Sequence, residues 1–204
     1  MLLAGHITPG SKVLDVGSAD GYMGSFLIEN KNCEMWGIEP DQDSFSLASN
    51  KGYKYLLNKQ IEDAVDDEAL KREQFDYIII GDVLEHLLRP EIILKIMKNF
   101  LKPEGRLIVS LPNVAHYSIR FALLRGNWNM TESGIMDKTH LHFYTLKTAG
   151  ELLENNGWLV ENTRPRGDLE RWFRRLGLEK IGRVILFFWP EFFAIQFVFK
   201  VKAK

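Results

Sequence analysis

The chain has 204 residues, 46% of them hydrophobic, enough to bury one full core and too apolar for a disordered chain. Lys and Arg number 26 against 27 Asp and Glu, a net charge of −1, which argues against a dedicated nucleic-acid binder. The single cysteine, Cys33, excludes an internal disulfide, reads as a small buried hydrophobe, and fits a reducing, cytoplasmic setting.

The opening "MLLAGHITPG" lacks the basic start and long apolar run of a signal peptide. "KVLDVG" (12–17) then reads as a fully buried strand, and Gly21 to Asn30 as a helix. "EMWGIEP" (34–40) is a second strand, stopped by Pro40. "DSFSLASNKG" (43–52) is a helix closed by Gly52, and "YKYLL" (53–57) a short strand. "FDYIIIGD" (75–82) is another buried strand. The spacing of Ile92, Ile93, Ile96, Met97 and Phe100 predicts a helix over 90–105, with Pro90 in its first turn and Pro103 and Gly105 at its end. "RLIVSLP" (106–112) follows as a strand. Thr145 caps a helix over "LKTAGELLENN", which Gly157 ends, and "GWLVENT" and "FAIQFVFKV" supply two last strands.

Seven strands alternating with helices predict an α/β three-layer sandwich with a mostly parallel sheet. No long crossover precedes the last strand, so that strand is expected to run antiparallel. The whole of 1–204 reads as one domain with an aromatic-rich insertion at 113–144, expected to cover a substrate. The segment 164–183 is basic and expected to be helical. Its arginines, Arg164, Arg166, Arg171, Arg174, Arg175 and Arg183, read as a solvated face, with a phosphate or an anionic membrane surface as the alternative partner. From Ile181 the chain is strongly apolar, yet Arg183, Pro190, Glu191 and Gln196 interrupt it. No run reaches the ~20 residues that a bilayer requires, so a buried helix and a core strand are expected there.

The stretch "VLDVGSADGYMG" (13–24) ends a buried strand in bare backbone. Glycines between a strand and a helix let a ligand approach the main chain closely. The dinucleotide spacing G-x-G-x-x-G fails, because counting from Gly17 meets Ala19 and Tyr22, and counting from Gly21 meets Met23. The spacing D-x-G-x-[GA]-x-G is met by Asp15, Gly17, Ala19 and Gly21. In this, the chain resembles the class I S-adenosylmethionine-dependent methyltransferases. "WGIEPD", "QFDYIIIGDVLEHL" and "LKPEGRLIVSLPN" are similar to that family's second-, fourth- and fifth-strand motifs. "DKTHLHFYT" is similar to a segment of its small-molecule branch, which includes ubiquinone and glycan biosynthesis.

The resemblance implies a Rossmann-like fold and S-adenosylmethionine as cofactor. Asp15, Gly17, Ser18, Ala19 and Gly21 would form its loop, and Glu39 would accept from the ribose hydroxyls, a task suited to a carboxylate. Pro40, Gln60 and Ile61 would meet the adenine, and Asp82 and Val83 the methionine end; ending the second strand is the alternative role for Pro40, and capping the next helix that for Asp82. Gln60 stands where relatives often carry Asp; its carbonyl can accept the same hydrogen bond.

Methyl transfer is an in-line displacement, so alignment does most of the work. A hydroxyl acceptor also needs a base, a role that suits histidine. His86, His116 and His140 are the catalytic candidates. His140 and His142 alternate along an extended segment and should point opposite ways, so no metal is expected. Tyr117, Arg120, Arg125, Trp128 and Tyr144 of the insertion are suited to ordering a small-molecule acceptor, for which the resemblance suggests a sugar hydroxyl in cell-surface glycan synthesis, with a carboxyl or an amine as alternatives. The rival readings are a non-catalytic binding module of the same fold, a nicotinamide-dependent oxidoreductase, and a peripheral membrane protein.

Overall fold

The buried apolar runs become the middle of one seven-stranded sheet. The computed structural model describes residues 2–167 and 179–204. β1 (Lys12–Val16), β2 (Glu34–Ile38), β3 (Tyr55–Leu57), β4 (Phe75–Gly81) and β5 (Leu101–Pro112) pair in parallel. β7 (Gln196–Ala203) runs antiparallel between β5 and β6 (Trp158–Arg166). The order is β3-β2-β1-β4-β5-β7-β6, as expected for a mostly parallel sheet with an antiparallel last strand.

Alternate residues of the central strands feed two cores, because successive side chains of a strand point to opposite faces. Leu14, Val16, Trp36, Ile78 and Ile80 pack on one face with Ile93 and Leu94 of α4 (Pro90–Ile96) and Leu153 of α6 (Leu146–Asn155). Val13, Met35, Ile79 and Ile108 pack on the other face with Leu27 of α1 (Tyr22–Lys31) and with Cys33, which is buried as expected. The predicted caps hold. Thr145 and Thr148 form a reciprocal capping box at α6, and Gly157 leaves that helix at φ +76°.

The structure corrects several sequence expectations, among them the buried helix expected after Ile181, which leaves Val184, Phe187 and Phe188 exposed. The helix predicted over 90–105 ends at Ile96 and tightens into a 3-10 turn, Met97–Phe100. β5 starts at Leu101 because that side chain pairs beside Phe75 and joins the core, and Lys102, Pro103 and Glu104 bulge outward before pairing resumes at Arg106. α2 (Gln42–Ala48) is shorter than predicted, with Asp41 accepting from Ser44 N at its start. β3 begins at Tyr55, which frees Tyr53 to turn inward.

The insertion contains α5 (Tyr117–Leu124), which buries none of its residues, and an irregular stretch bridged between Thr131 and Asp137. Arg164 and Arg166 belong to β6 and not to a helix. Arg171, Arg174 and Arg175 lie outside the described residues. After them come α7 (Glu179–Phe188) and α8 (Pro190–Phe193). α3 (Ile61–Ala64) is one short turn.

Candidate functional site

The parallel strands end together in a crevice, and the loop after β1 forms its floor. Gly17 (φ +74°), Ala19 (φ +48°) and Gly21 (φ +77°) all lie in the left-handed region, which curls the chain tightly. Gly17 and Ser18 donate to Ile38 O at 2.8 and 3.1 Å, tying the loop to the end of β2. Glu39 completes this brace. One carboxylate oxygen accepts from Ala19 N at 2.7 Å and the other from Asp41 N at 2.9 Å. Asn58, not singled out in the sequence, fixes the same corner by donating to Glu39 O and Pro40 O.

The glycines serve packing. A Cβ on Gly17 would lie 2.4 Å from Val83 Cγ2, and one on Gly21 would lie 2.9 Å from the Ala48 backbone. Gly24 is already inside α1 and buried. A Cβ there would lie 2.2 Å from the Tyr53 ring, and one on Gly37 would meet the same ring at 2.8 Å. Tyr53 therefore threads between two glycines and donates to Asp15 at 2.7 Å. Burial raises the Asp15 carboxyl to about 7, opposed by that phenol and reinforced by the charge of Glu39. Asp15 thus lies beneath the loop, on the α1 side of the sheet. Tyr53 was missed in the sequence; the paired glycines at 24 and 37 were the available signal.

Pro40 and Gln60 are exposed, and Ile61 is buried at the start of α3. Asp82 and Val83 follow β4. Asp82 takes φ +54° and accepts from Ser110 Oγ at 3.1 Å and from Gln196 Nε2 at 2.6 Å. Arg166 in turn donates to Gln196 Oε1 at 3.1 Å. Carboxylates at the ends of β2 and β4 flank the curled loop. That set of acceptors fits S-adenosylmethionine, since carboxylate lone pairs beyond those used by the brace remain for ribose hydroxyls and an ammonium.

Beyond Asp82 opens a cavity of about 310 Å³, lined by Glu85, His86, Ile135, Asp137, His140, Arg166 and Gln196 among others. The insertion reaches it because Glu85 O accepts from Leu141 N and His142 N, pinning 141–142 to the 3-10 turn Leu84–His86. His86 and His140 meet edge to face, with centroids 4.7 Å apart. His140 Nδ1 donates to Ile135 O at 3.2 Å, which leaves Nε2 an acceptor, 4.0 Å from Glu85 Oε1. The side chain of Glu85 is 1% exposed, and neither carboxylate oxygen has a hydrogen-bond partner among the described residues. Burial, then the charge of Asp82, pushes Glu85 up to about 8. Burial, then His86, pushes His140 below its ordinary value.

Of the three candidate histidines, two converge. His116 stands apart as the cap of α5, its Nδ1 facing Ser118 Oγ at 2.8 Å and Ser118 N at 3.4 Å. His142 turns away and stacks toward Tyr144, as alternation predicts. Glu85 was not singled out in the sequence; only its place beside His86 hinted at it. Potential ligand atoms of Glu85, His86 and His140 lie within 4.8 Å of one another, so the trio also has the donor types of a divalent-ion site.

Known proteins share this architecture. The mitochondrial ubiquinone biosynthesis O-methyltransferase of Mus musculus is 29% identical over 163 residues, which cover 74% of this chain and 42% of that protein. The ubiquinone biosynthesis O-methyltransferase of Glaesserella parasuis serovar 5 (strain SH0165) is 31% identical over 110 residues, 51% of this chain and 46% of that one. The chain thus spans under half the length of these curated relatives. An S-adenosylmethionine dependent methyltransferase from Mesorhizobium loti superposes with a TM-score of 0.66 at 13% identity, over 98% of this chain and 95% of that structure. This likeness establishes the class I methyltransferase fold. The family described as "Methionine biosynthesis protein MetW" matches residues 1–189, and the chain belongs to that family.

Proposed function

We propose that the chain transfers the methyl group of S-adenosylmethionine to a hydroxyl of a polar small molecule, with His140 as the base. The observation that carries this reading is the turned imidazole. Nδ1–H is held by Ile135 O, and His140 is among the residues that line the cavity beside Asp82. The relatives named as O-methyltransferases support an oxygen acceptor. Arg166, Gln196, Asp82 and Asp137 make the lining polar, which suits a polyhydroxyl compound such as a sugar.

In this reading Gly17, Ala19, Gly21 and Glu39 hold the cofactor, and Asp82 and Val83 position its methionine end. When bound, the cofactor supplies a sulfonium methyl whose leaving group is neutral and needs no acid. Arg166 and Gln196 orient the acceptor. His140, uncharged at neutral pH because burial lowers its pKa, takes the hydroxyl proton at Nε2. Glu85, neutral at pH 7, adds no competing negative charge below the ring. The insertion at 113–144 closes the cavity as part of the single domain.

The test is release of S-adenosylhomocysteine with a panel of sugars and phenols. His140→Ala should lower kcat by about 10²–10⁴ and leave cofactor affinity unchanged. Cofactor binding without turnover on any acceptor would instead mean a binding module. A rate abolished by chelator and restored by a divalent ion would replace the histidine base with metal-assisted deprotonation.

A further inference from the structure

We infer that α7, α8 and α5 together form a surface that seats the protein on the interface of an anionic lipid bilayer. α7 has two apolar faces. Leu186 packs into the core. On the opposite side Val184 is 54% exposed, Phe187 75% and Phe188 65%, and Trp189 just beyond the helix is 61% exposed. Lys180 shares that outer face, at positions i, i+4, i+7 and i+8 with Val184, Phe187 and Phe188. One helix buried on both sides in a water-soluble fold would be ordinary; one with its second apolar face in water calls for a partner.

The patch continues onto α5. Phe121 packs edge-on against Phe192 at 6.3 Å, Tyr117 lies 5.9 Å from the same ring, and the Arg120 guanidinium sits over it at 5.6 Å. Phe121, Leu123 and Leu124 are exposed in turn. Between the helices runs an apolar groove of about 790 Å³. The exposure is built in, not a consequence of looseness. The Asn113 amide donates to Glu191 O at 2.9 Å and Ala194 O at 2.8 Å, and Ile195 N donates to Arg166 O at 2.8 Å. These bonds fix the hairpin to the ends of β5 and β6.

Charge selects the occupant. Arg120, Arg125 and Lys180 are exposed around the aromatic patch, with Glu191 as an acid within it. A second copy docked symmetrically on this patch would bring like charges face to face. An anionic headgroup layer neutralises them, and Phe and Trp side chains with flanking cations are the pattern of helices lying ~5–10 Å deep in an interface. Among the described residues no helix is long and apolar enough to cross a membrane, so the surface would rest on a bilayer. The inference does not depend on the proposed methyl transfer.

The experiment is co-sedimentation of the full chain with vesicles of phosphatidylcholine alone and of phosphatidylcholine with phosphatidylglycerol. Binding should require the anionic lipid and weaken about tenfold or more in 1 M salt, where screening acts over ~3 Å. The double variant Phe187→Ser/Phe188→Ser should lose at least about tenfold in vesicle affinity while its melting temperature and cofactor affinity stay as in the wild type. Should that variant fold poorly, Lys180→Glu/Arg125→Glu tests the cations alone, and bromolipid quenching compared between wild type and Trp189→Phe tests insertion. Wild type left in the supernatant with both vesicles, or patch variants that sediment like wild type, would overturn the proposal. So would a dimer that ignores lipid and becomes monomeric in the double variant, because the patch would then be a protein interface.

Discussion

Glu39 holds two backbone N–H groups at once, and this changes what its removal should do. Without it, Ala19 N and Asp41 N lose their acceptors at a nearly buried corner. Glu39→Ala should therefore cost about 1–3 kcal/mol in urea unfolding as well as roughly ten- to a hundredfold in cofactor affinity by calorimetry. Glu39→Gln keeps one acceptor and should fall between. Gly17 invites a paired test. Gly17→Ala meets a positive φ, about 1–2 kcal/mol, together with the Val83 methyl. Val83→Ala in the same chain should recover the steric part and leave the backbone part, as a double-mutant cycle of unfolding free energies will read. Much of this corner was legible in the sequence, since left-handed backbone demands glycine or a small residue at fixed spacing. Gly24 was not. It stands in the same run, yet its missing Cβ accommodates Tyr53, a partner 29 positions further along the chain.

Among the elements, the β4–β5 edge shows where local pattern loses to pairing. The 3.6-residue period through Phe100 is genuine, but Leu101 is drawn into register with Phe75 and ends the helix five residues early. Gly105 is then wedged where a Cβ would lie 2.9 Å from Phe75 O and 3.0 Å from Lys102 O. Gly105→Val should cost about 1–3 kcal/mol in urea unfolding, since backbone atoms have no room to yield. Cofactor affinity should not change, because this bulge lies at the amino ends of the strands, away from the crevice. The capping box of α6, in contrast, is a purely local device, and the sequence reveals it without help from distant residues.

At the scale of the whole molecule, two buried acids give stability a pH dependence. Asp15 and Glu85 keep their protons in the folded chain up to about 7 and about 8, whereas the unfolded chain releases them near the ordinary carboxylate value. Their contribution is complete below that ordinary value and is lost as pH rises toward 8. His6 and His140, pushed down by burial, act the other way, so stability falls as pH drops below 6.5. Between pH 6.5 and 8.5 the acids dominate, and the melting temperature should fall. Glu85→Gln, which cannot ionise, should remove about 2 kcal/mol of that decline, as calorimetric melts at the two pH values will measure.

The sequence by itself determined the order of the strands, the glycine loop after the first of them and the acid at the end of the second. Each depends on neighbours in the chain: a run of buried side chains, glycines at set intervals, a cap one turn from its partner. Tertiary structure alone decided which histidines meet. His86 and His140 are 54 positions apart and meet because Glu85 O pins the insertion to the turn after β4, while His116 is held as the cap of α5. It also decided that α7 keeps an apolar face in water, because a helical period shows that a face is apolar and not whether the fold covers it.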